Sequence, residues 1–291
     1  MELETLVAEV KNAFPGLTIA QADLEDRGGD HLVLLVNGDY VFRFPRRSDS
    51  NLPLEIAVLS ALRGKGTVPV PYYEFIAPDL SFAGYRFLHG IELTSAVFAA
   101  LDPSAQKRVL DAAVFLLNAL HSLEPDKVAD DRAWRRIWTP REFTHRGRLR
   151  LEAAEQSFPS LAAEIESFYC VYERDEAPSL AVLHGDLVEE HLLLAADHLT
   201  LAGVIDFGDV GLGDRADDLK GFWAYGEAAA RYAISKVAES SADPDLLNRS
   251  NRAYLRYCID RFMERVDVDG LQSVAQEASW LQRRLAAPPP A

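Results

Sequence analysis

From Pro103 almost to the end of the chain, apolar residues recur at helical spacing. Between residues 31 and 87 they fall instead into short strand-type runs separated by turn residues. This change of period constrains the fold most, because a segment patterned for one period cannot bury its apolar side in the other. His31–Val36 is an apolar run, Asn37-Gly38-Asp39 supplies turn chemistry, and Tyr40–Phe44 follows as a second strand, so a hairpin is expected. Leu52–Arg63 has Leu54, Val58, Leu59 and Leu62 on one helical face and Gly64 as a stop. Pro69 and Pro71 bracket an extended piece, and Ser81–Leu88 reads as a strand closed by Gly90. Beyond that, Ala105–Ser122 with Pro103 near its start, Arg141–Gln156, Leu161–Arg174, Ala216–Ala238, Pro244–Val266 and Leu271–Leu285 are predicted helices. Short strands interrupt them at Ala181–Leu183, Leu192–Leu194 and Leu199–Ile205. The expectation is an α+β chain in two lobes, a small β-rich N-lobe over 1–88 and a large helical C-lobe over 89–291, joined near Phe87–Leu93.

The 291 residues, 48% of them hydrophobic, suffice for a sizeable core. Runs such as Val109–Leu120 are broken by Asp111 and Asn118 and fall short of the roughly 20 apolar residues a membrane span needs. Met1–Lys11 carries Glu2, Glu4 and Glu9 and reads as an amphipathic helix, not a signal peptide, so a cytoplasmic location is expected. Cys170 and Cys258, the two cysteines, fit a reducing compartment and make no metal site. The net charge of −15 argues against a nucleic-acid partner and is compatible with a cationic small molecule. Arg132–Arg150 combines seven arginines with Trp134 and Trp138, and in so acidic a chain it is expected to be an exposed helical face. Oligomeric state is not legible.

The chemical signal is concentrated in Leu183-His184-Gly185-Asp186-Leu187-Val188-Glu189-Glu190-His191-Leu192-Leu193-Leu194, followed by Gly203-Val204-Ile205-Asp206-Phe207-Gly208-Asp209. Phosphoryl transfer needs a carboxylate to orient the attacking hydroxyl and ligands for a metal that neutralises the β- and γ-phosphates. An H-x-D loop, a metal-ligand position five residues later and a strand ending in D-F-G supply these parts in order. The apolar runs on either side hold the loop rigidly, as positioning catalysis requires.

With Gly213-Asp214-Arg215-Ala216-Asp217-Asp218-Leu219 downstream, this pattern resembles the aminoglycoside phosphotransferase and choline-kinase-like family of small-molecule kinases. Gly203–Asp209 is close in style to the aminoglycoside 2″-phosphotransferases. The resemblance spans roughly residues 20–260. It implies a protein-kinase-like fold with an N-lobe sheet of about five strands and one helix between the third and fourth. It implies Mg²⁺-dependent transfer of the γ-phosphate of ATP or GTP to a hydroxyl of an aminoglycoside-like or other small alcohol, and with it a link to antibiotic resistance.

By the same resemblance Asp186 is the catalytic carboxylate, Asp206 the main magnesium ligand, His184 a brace of the catalytic loop, and Asp218 (or Asp217) the carboxylate tying the next helix to that loop. His191 stands where most relatives have Asn; macrolide phosphotransferases resemble this chain in using His there. An imidazole nitrogen is a poorer Mg²⁺ ligand than oxygen, so metal ligation and a hydrogen bond orienting Asp186 or Asp206 both remain open. In the N-lobe, Gly28 and Gly29 resemble the nucleotide-covering loop, Arg43 takes the place of the phosphate-binding Lys, Glu55 its partner, and Phe87 and Leu88 belong to the connector whose backbone reads the base. Arg differs from Lys in geometry though both bind phosphate. His89 is expected to be incidental and His121 structural. Glu227, Asp260 and Glu264 are candidate carboxylates for a cationic acceptor. Because Arg43 and His191 replace usual residue types, the alternative is a degenerate kinase fold that holds nucleotide without turnover. A protein kinase is disfavoured, since there is no full Gly-rich loop and no A-P-E segment after Asp206.

Overall fold

Between the first two long strands the chain turns on Asn37 and Gly38, both with positive φ (55° and 72°), the conformation a tight two-residue hairpin demands. The Asn37 side chain also receives the amides of Ala20 and Gln21 and donates to the Thr18 carbonyl, which steers the preceding segment along the sheet. These contacts are taken from a computed structural model that describes residues 2–25, 31–46, 51–65, 68–134, 136–241, 243–269 and 274–287.

In chain order the elements are α1 (Leu3–Ala13), β1 (Ala22–Glu25), β2 (His31–Val36), β3 (Tyr40–Pro45), α2 (Leu52–Leu62), β4 (Tyr73–Ile76), β5 (Ala83–Arg86), β6 (Ile91–Glu92), α3 (Ser95–Ala100), α4 (Pro103–His121), α5 (Pro125–Val128), β7 (Ile137–Trp138), α6 (Pro140–Ser157), α7 (Pro159–Tyr172), β8 (Ala181–Leu183), β9 (Leu192–Leu194), β10 (Leu201–Val204), β11 (Gly211–Gly213), α8 (Arg215–Leu219), α9 (Glu227–Ser241), α10 (Leu246–Asp269) and α11 (Ala275–Leu285). The chain is therefore α+β, with a sheet-bearing N-terminal part and a helical C-terminal part. Among the described residues no helix is long and apolar enough to cross a membrane.

By contact density the chain forms two units, one of residues 1–135 with 190–210, the other of 136–189 with 211–291. The lobe boundary proposed after residue 88 divides the chain by secondary-structure content and falls inside the first unit. That unit holds a five-stranded sheet in the order β1-β2-β3-β5-β4, with α2 between the third and fourth strands as expected. Leu6 and Val10 of α1 pack into a core with Leu34, Val36, Phe42 and Phe82 from the sheet. A second small sheet, β10-β9-β6, carries the connector: Leu93 donates to the Leu192 carbonyl, and a Cβ on Gly90 would lie 2.9 Å from Leu193 and from the Leu194 carbonyl.

The second unit packs α6, α7, α10 and α11 around Ile165, Tyr169, Ile259 and Phe262. Gly147 lies inside α6 because a Cβ there would fall 2.1 Å from the Tyr169 hydroxyl. A three-stranded sheet, β7-β11-β8, delivers the chain to the H-G-D motif.

Two expectations need correction. Ala216–Ala238 is not one helix: α8 passes into a 3-10 stretch over Lys220–Tyr225, and Gly226, at φ 96°, ends it before α9. The tighter turn brings Gly221 so close to the H-G-D segment that a Cβ would lie 2.4 Å from the Leu187 carbonyl. Arg132–Arg150 is not one exposed helical face either, since it runs through a 3-10 turn, β7 and half of α6. Trp138 stacks on Phe143 at 5.4 Å with Arg146 beside both rings, and Arg148 reaches Glu166 and Glu173.

Candidate active site

In the first unit, antiparallel pairing of β9 with β10 and the Ile205 amide on the His191 carbonyl set His191 beside the strand end at Asp206. His191 Nε2 is 3.6 Å from Asp206 Oδ2. Asp206 has a left-handed backbone, φ 63° and ψ 63°, which costs a non-glycine residue roughly 1–2 kcal/mol and is the kind of strain found at functional sites. Phe207, fully buried, anchors the turn. Asn51 donates to the carbonyls of Gly208 and Val210 and holds it from the start of α2.

Arg43 on β3 is the hub. Its Nη1 donates to Glu55 Oε1 at 2.7 Å, and its Nη2 to Asp206 Oδ1 at 2.7 Å, with His31 Nδ1 at 3.1 Å from the same Nη2. The Tyr73 hydroxyl donates to the same Glu55 oxygen at 2.9 Å. Burial opposes the charge on Arg43, but Glu55 and Asp206 hold the guanidinium above its ordinary range. Burial pushes the Glu55 carboxyl up against the pull of Arg43 and Tyr73. Here one planar fork satisfies two carboxylates, which a Lys ammonium in the same place would do with less directionality.

Among the described residues no group of three or more His, Cys, Asp or Glu is arranged to hold a metal alone. That donor set still fits a hard divalent cation of the Mg²⁺ type, which takes one or two protein ligands and completes its shell with water and substrate phosphates. Asp206, with its side chain 47% exposed, offers a carboxylate and His191 an imidazole.

In the second unit the H-G-D loop is held through its backbone groups. Asp218, fully buried at the start of α8, receives the His184 amide on Oδ2 and the Gly185 amide on Oδ1, both at 2.9 Å. His184 Nδ1 receives the Asp186 amide at 3.3 Å. Gly185 has φ 86°, open to glycine and strained for other residues. Lys220, 1% exposed, donates to the Gly185 carbonyl at 3.1 Å and the Asp217 carbonyl at 3.0 Å. Asp217 pairs with Arg256 at 3.2 Å, and burial raises its carboxyl against the pull of Arg256 and Lys220.

Of the three proposed acceptor carboxylates, Asp260 joins this assembly: it pairs with Arg256 at 2.7 Å, and Arg256 reaches Asp217. Glu227 and Glu264 pair with Arg231 and Arg261 of their own helices. Gly28 and Gly29 lie outside the described residues. The Phe87 amide donates to the Asp39 carbonyl at 2.8 Å, and Leu88 packs on Gly203. His121 is buried at the end of α4. Sequence reasoning missed Asn51, Tyr73, Arg256 and Lys220. A signal for Lys220 existed, a lone cation entering the apolar run Leu219–Trp223. None existed for Arg256, one of several arginines on a long helix.

A buried cation paired with a helix glutamate, beside a strand-end carboxylate, is the phosphate-handling arrangement of kinase-type phosphotransferases. The chain belongs to the phosphotransferase enzyme family, whose model matches residues 26–247. Among solved structures it is similar to an APH(2″) in complex with GDP and kanamycin (24% identity, 97% of this chain and 98% of that one, TM-score 0.78). It is also similar to APH(2″)-IIa with streptomycin and ATP (18%, 97% and 97%, TM-score 0.66). Macrolide 2′-phosphotransferase MphH from Brachybacterium faecium matches at 19% identity over 99% of this chain and 100% of that one, with a TM-score of 0.65. At these identities the likeness is one of fold.

Proposed function

We propose that this phosphotransferase moves the γ-phosphate of ATP or GTP to a hydroxyl of a small, aminoglycoside-like alcohol. The observation that carries the reading is the Arg43 fork between Glu55 and Asp206, with His191 beside the same carboxylate. In this reading Arg43 binds phosphate oxygens, Glu55 fixes its orientation, and Asp206 with His191 holds Mg²⁺. A bound Mg²⁺ neutralises charge on the β- and γ-phosphates. Asp186, its backbone fixed by Asp218 and His184, orients the acceptor hydroxyl and takes its proton. Phe87 and Leu88 border the base, and Gly28 and Gly29 cover the phosphates. A cationic acceptor suits the acidic chain, and Asp260 is the first carboxylate to test for it.

The GDP and ATP complexes of the similar proteins make both triphosphates the first donors to assay. Kanamycin, gentamicin and streptomycin, bound by those proteins, are the first acceptors. Macrolides follow. The test is transfer of labelled γ-phosphate with and without Mg²⁺. Turnover in the wild type, with kcat in Asp186→Asn down by about 10²- to 10⁴-fold, is the expected result. Nucleotide binding with no turnover on any acceptor or water would favour the second reading, a nucleotide-holding module, which Arg43 and His191 motivate.

A further inference from the structure

Lys220 is buried to 1% exposure and belongs to none of the groups above that would touch nucleotide, metal or acceptor. We infer that Lys220 is a positioning residue for Asp186: its ammonium locks the Gly185–Asp186 peptide against flipping. The inference rests on the reading of Asp186 as the acting carboxylate.

Between Leu183 and Leu187 four polar backbone groups are taken up by side chains. The amides of His184 and Gly185 go to Asp218, the Asp186 amide to His184, and the Gly185 carbonyl to Lys220. Three of these four contacts fix N–H groups, and Lys220 fixes the carbonyl. Rotation of the Gly185–Asp186 peptide changes ψ of Gly185 and φ of Asp186. A glycine resists that rotation least of all residues, and its result is a redirected Asp186 side chain. With its carbonyl bonded to Nζ, the peptide cannot turn without leaving the buried Lys220 ammonium short of an acceptor, which is costly. The second acceptor, the Asp217 carbonyl, fixes Nζ itself, and Asp217 adjoins the Asp218 that holds the amides. Lys220 on the carbonyl side and His184 on the amide side thus grip the peptide from its two polar sides, and Asp218 of α8 holds the two peptides before it. That explains why a cation is kept at a site a methionine would fill with less desolvation.

The test uses the full chain and two readouts. Hydrogen exchange over residues 183–188 in Lys220→Met is expected to quicken about tenfold or more, while β2 and β3 keep their rates. ATP turnover in Mg²⁺, with water as acceptor, is expected to fall on the order of 10²-fold in kcat with KM for ATP unchanged. In Lys220→Ala, ethylammonium should restore part of kcat, and tetramethylammonium, which has no N–H, should not. Wild-type exchange over 183–188 in Lys220→Met, or equal rescue by the two ions, overturns the inference. Should Lys220→Met fail to fold, Lys220→Gln, which keeps an N–H donor, is compared with Lys220→Ala: equal loop exchange in the two overturns it, and slower exchange in Lys220→Gln supports it. Wild type and Asp186→Asn hydrolysing ATP equally would sink the proposed function instead, and the exchange result would still decide the role of Lys220.

Discussion

The Asp206 carboxylate meets other side chains, whereas the loop that carries Asp186 is held by side chains that meet backbone. Arg43 divides its guanidinium between Glu55 and Asp206, and His191 approaches the same carboxylate. In the H-G-D loop, Asp218, His184 and Lys220 hold amides and a carbonyl. The difference follows from the tasks proposed for the two regions. Charges that must receive phosphate and metal do well to hold partners they can exchange, and ion pairs exchange without moving the chain. A carboxylate that must stay aimed needs its main chain fixed, because side-chain pairing alone leaves the backbone free to turn.

The largest effect that would break this comparison concerns Arg43. Arg43→Met leaves Glu55 buried without its cation and should cost about 3–5 kcal/mol in urea unfolding. A loss under about 1 kcal/mol, the range of exposed pairs, would mean that the pair is not desolvated as described. Next comes Asp218→Ala, which strips two amides of their acceptor. It should cost about 1–3 kcal/mol and lower kcat far more than nucleotide affinity. Equal losses in both, read by single-turnover kinetics beside equilibrium nucleotide binding, would show that the loop also shapes the nucleotide site.

His191 sharpens the exchangeable side. If its ring ligates metal, His191→Asn should shift activity from Mn²⁺ toward Mg²⁺, since oxygen suits Mg²⁺ better than imidazole. An identical metal profile removes ligation and leaves the orienting hydrogen bond. The smallest effect is one of acid stability in the second unit. Hydrogen bonds from Arg249 hold the Asp243 carboxyl below its ordinary value of 3.8. A lowered folded value means stability that is present above pH 3.8 and lost as pH falls through the folded value. The urea midpoint of the wild type should therefore fall more steeply than that of Asp243→Asn below about pH 4. Parallel curves would assign no linkage to the pair.

The N-terminal sheet and the motif strands were legible because local patterns fix them. Asn37-Gly38 admits one kind of turn, and Ala181–Leu183 and Leu192–Leu194 are apolar runs bounded by polar motifs. The family pattern likewise led to Arg43, Glu55, His184 and Asp218, whose contacts the fold now supplies. What stayed hidden was set by tertiary contact. Residues 216–238 carry helical spacing throughout, yet the tight turn at Gly221 answers to the Leu187 carbonyl, distant in sequence, and Gly226 breaks the run with its φ of 96°. β11 is three residues of Gly-Leu-Gly, with no period to read, and it exists because β7 and β8 flank it. Arg256 looked like any helix-surface cation until Asp217 and Asp260 were found on either side of it.

The contact between Gly147 and Tyr169 bears on how this sequence can change over generations. A methyl group at 147 would overlap the Tyr169 hydroxyl and the ring carbon bearing it, at 2.1 and 2.6 Å. Glycine inside a helix gives up about 1 kcal/mol relative to alanine, so drift toward alanine would be favoured if space allowed. Phenylalanine at 169 removes the oxygen and leaves the ring in the way. The two sites are therefore bound to an order of events: residue 169 must first lose its ring, and only then is 147 open to a side chain. Lineages that keep an aromatic at 169 should keep glycine at 147, and those that lost it should show the glycine replaced.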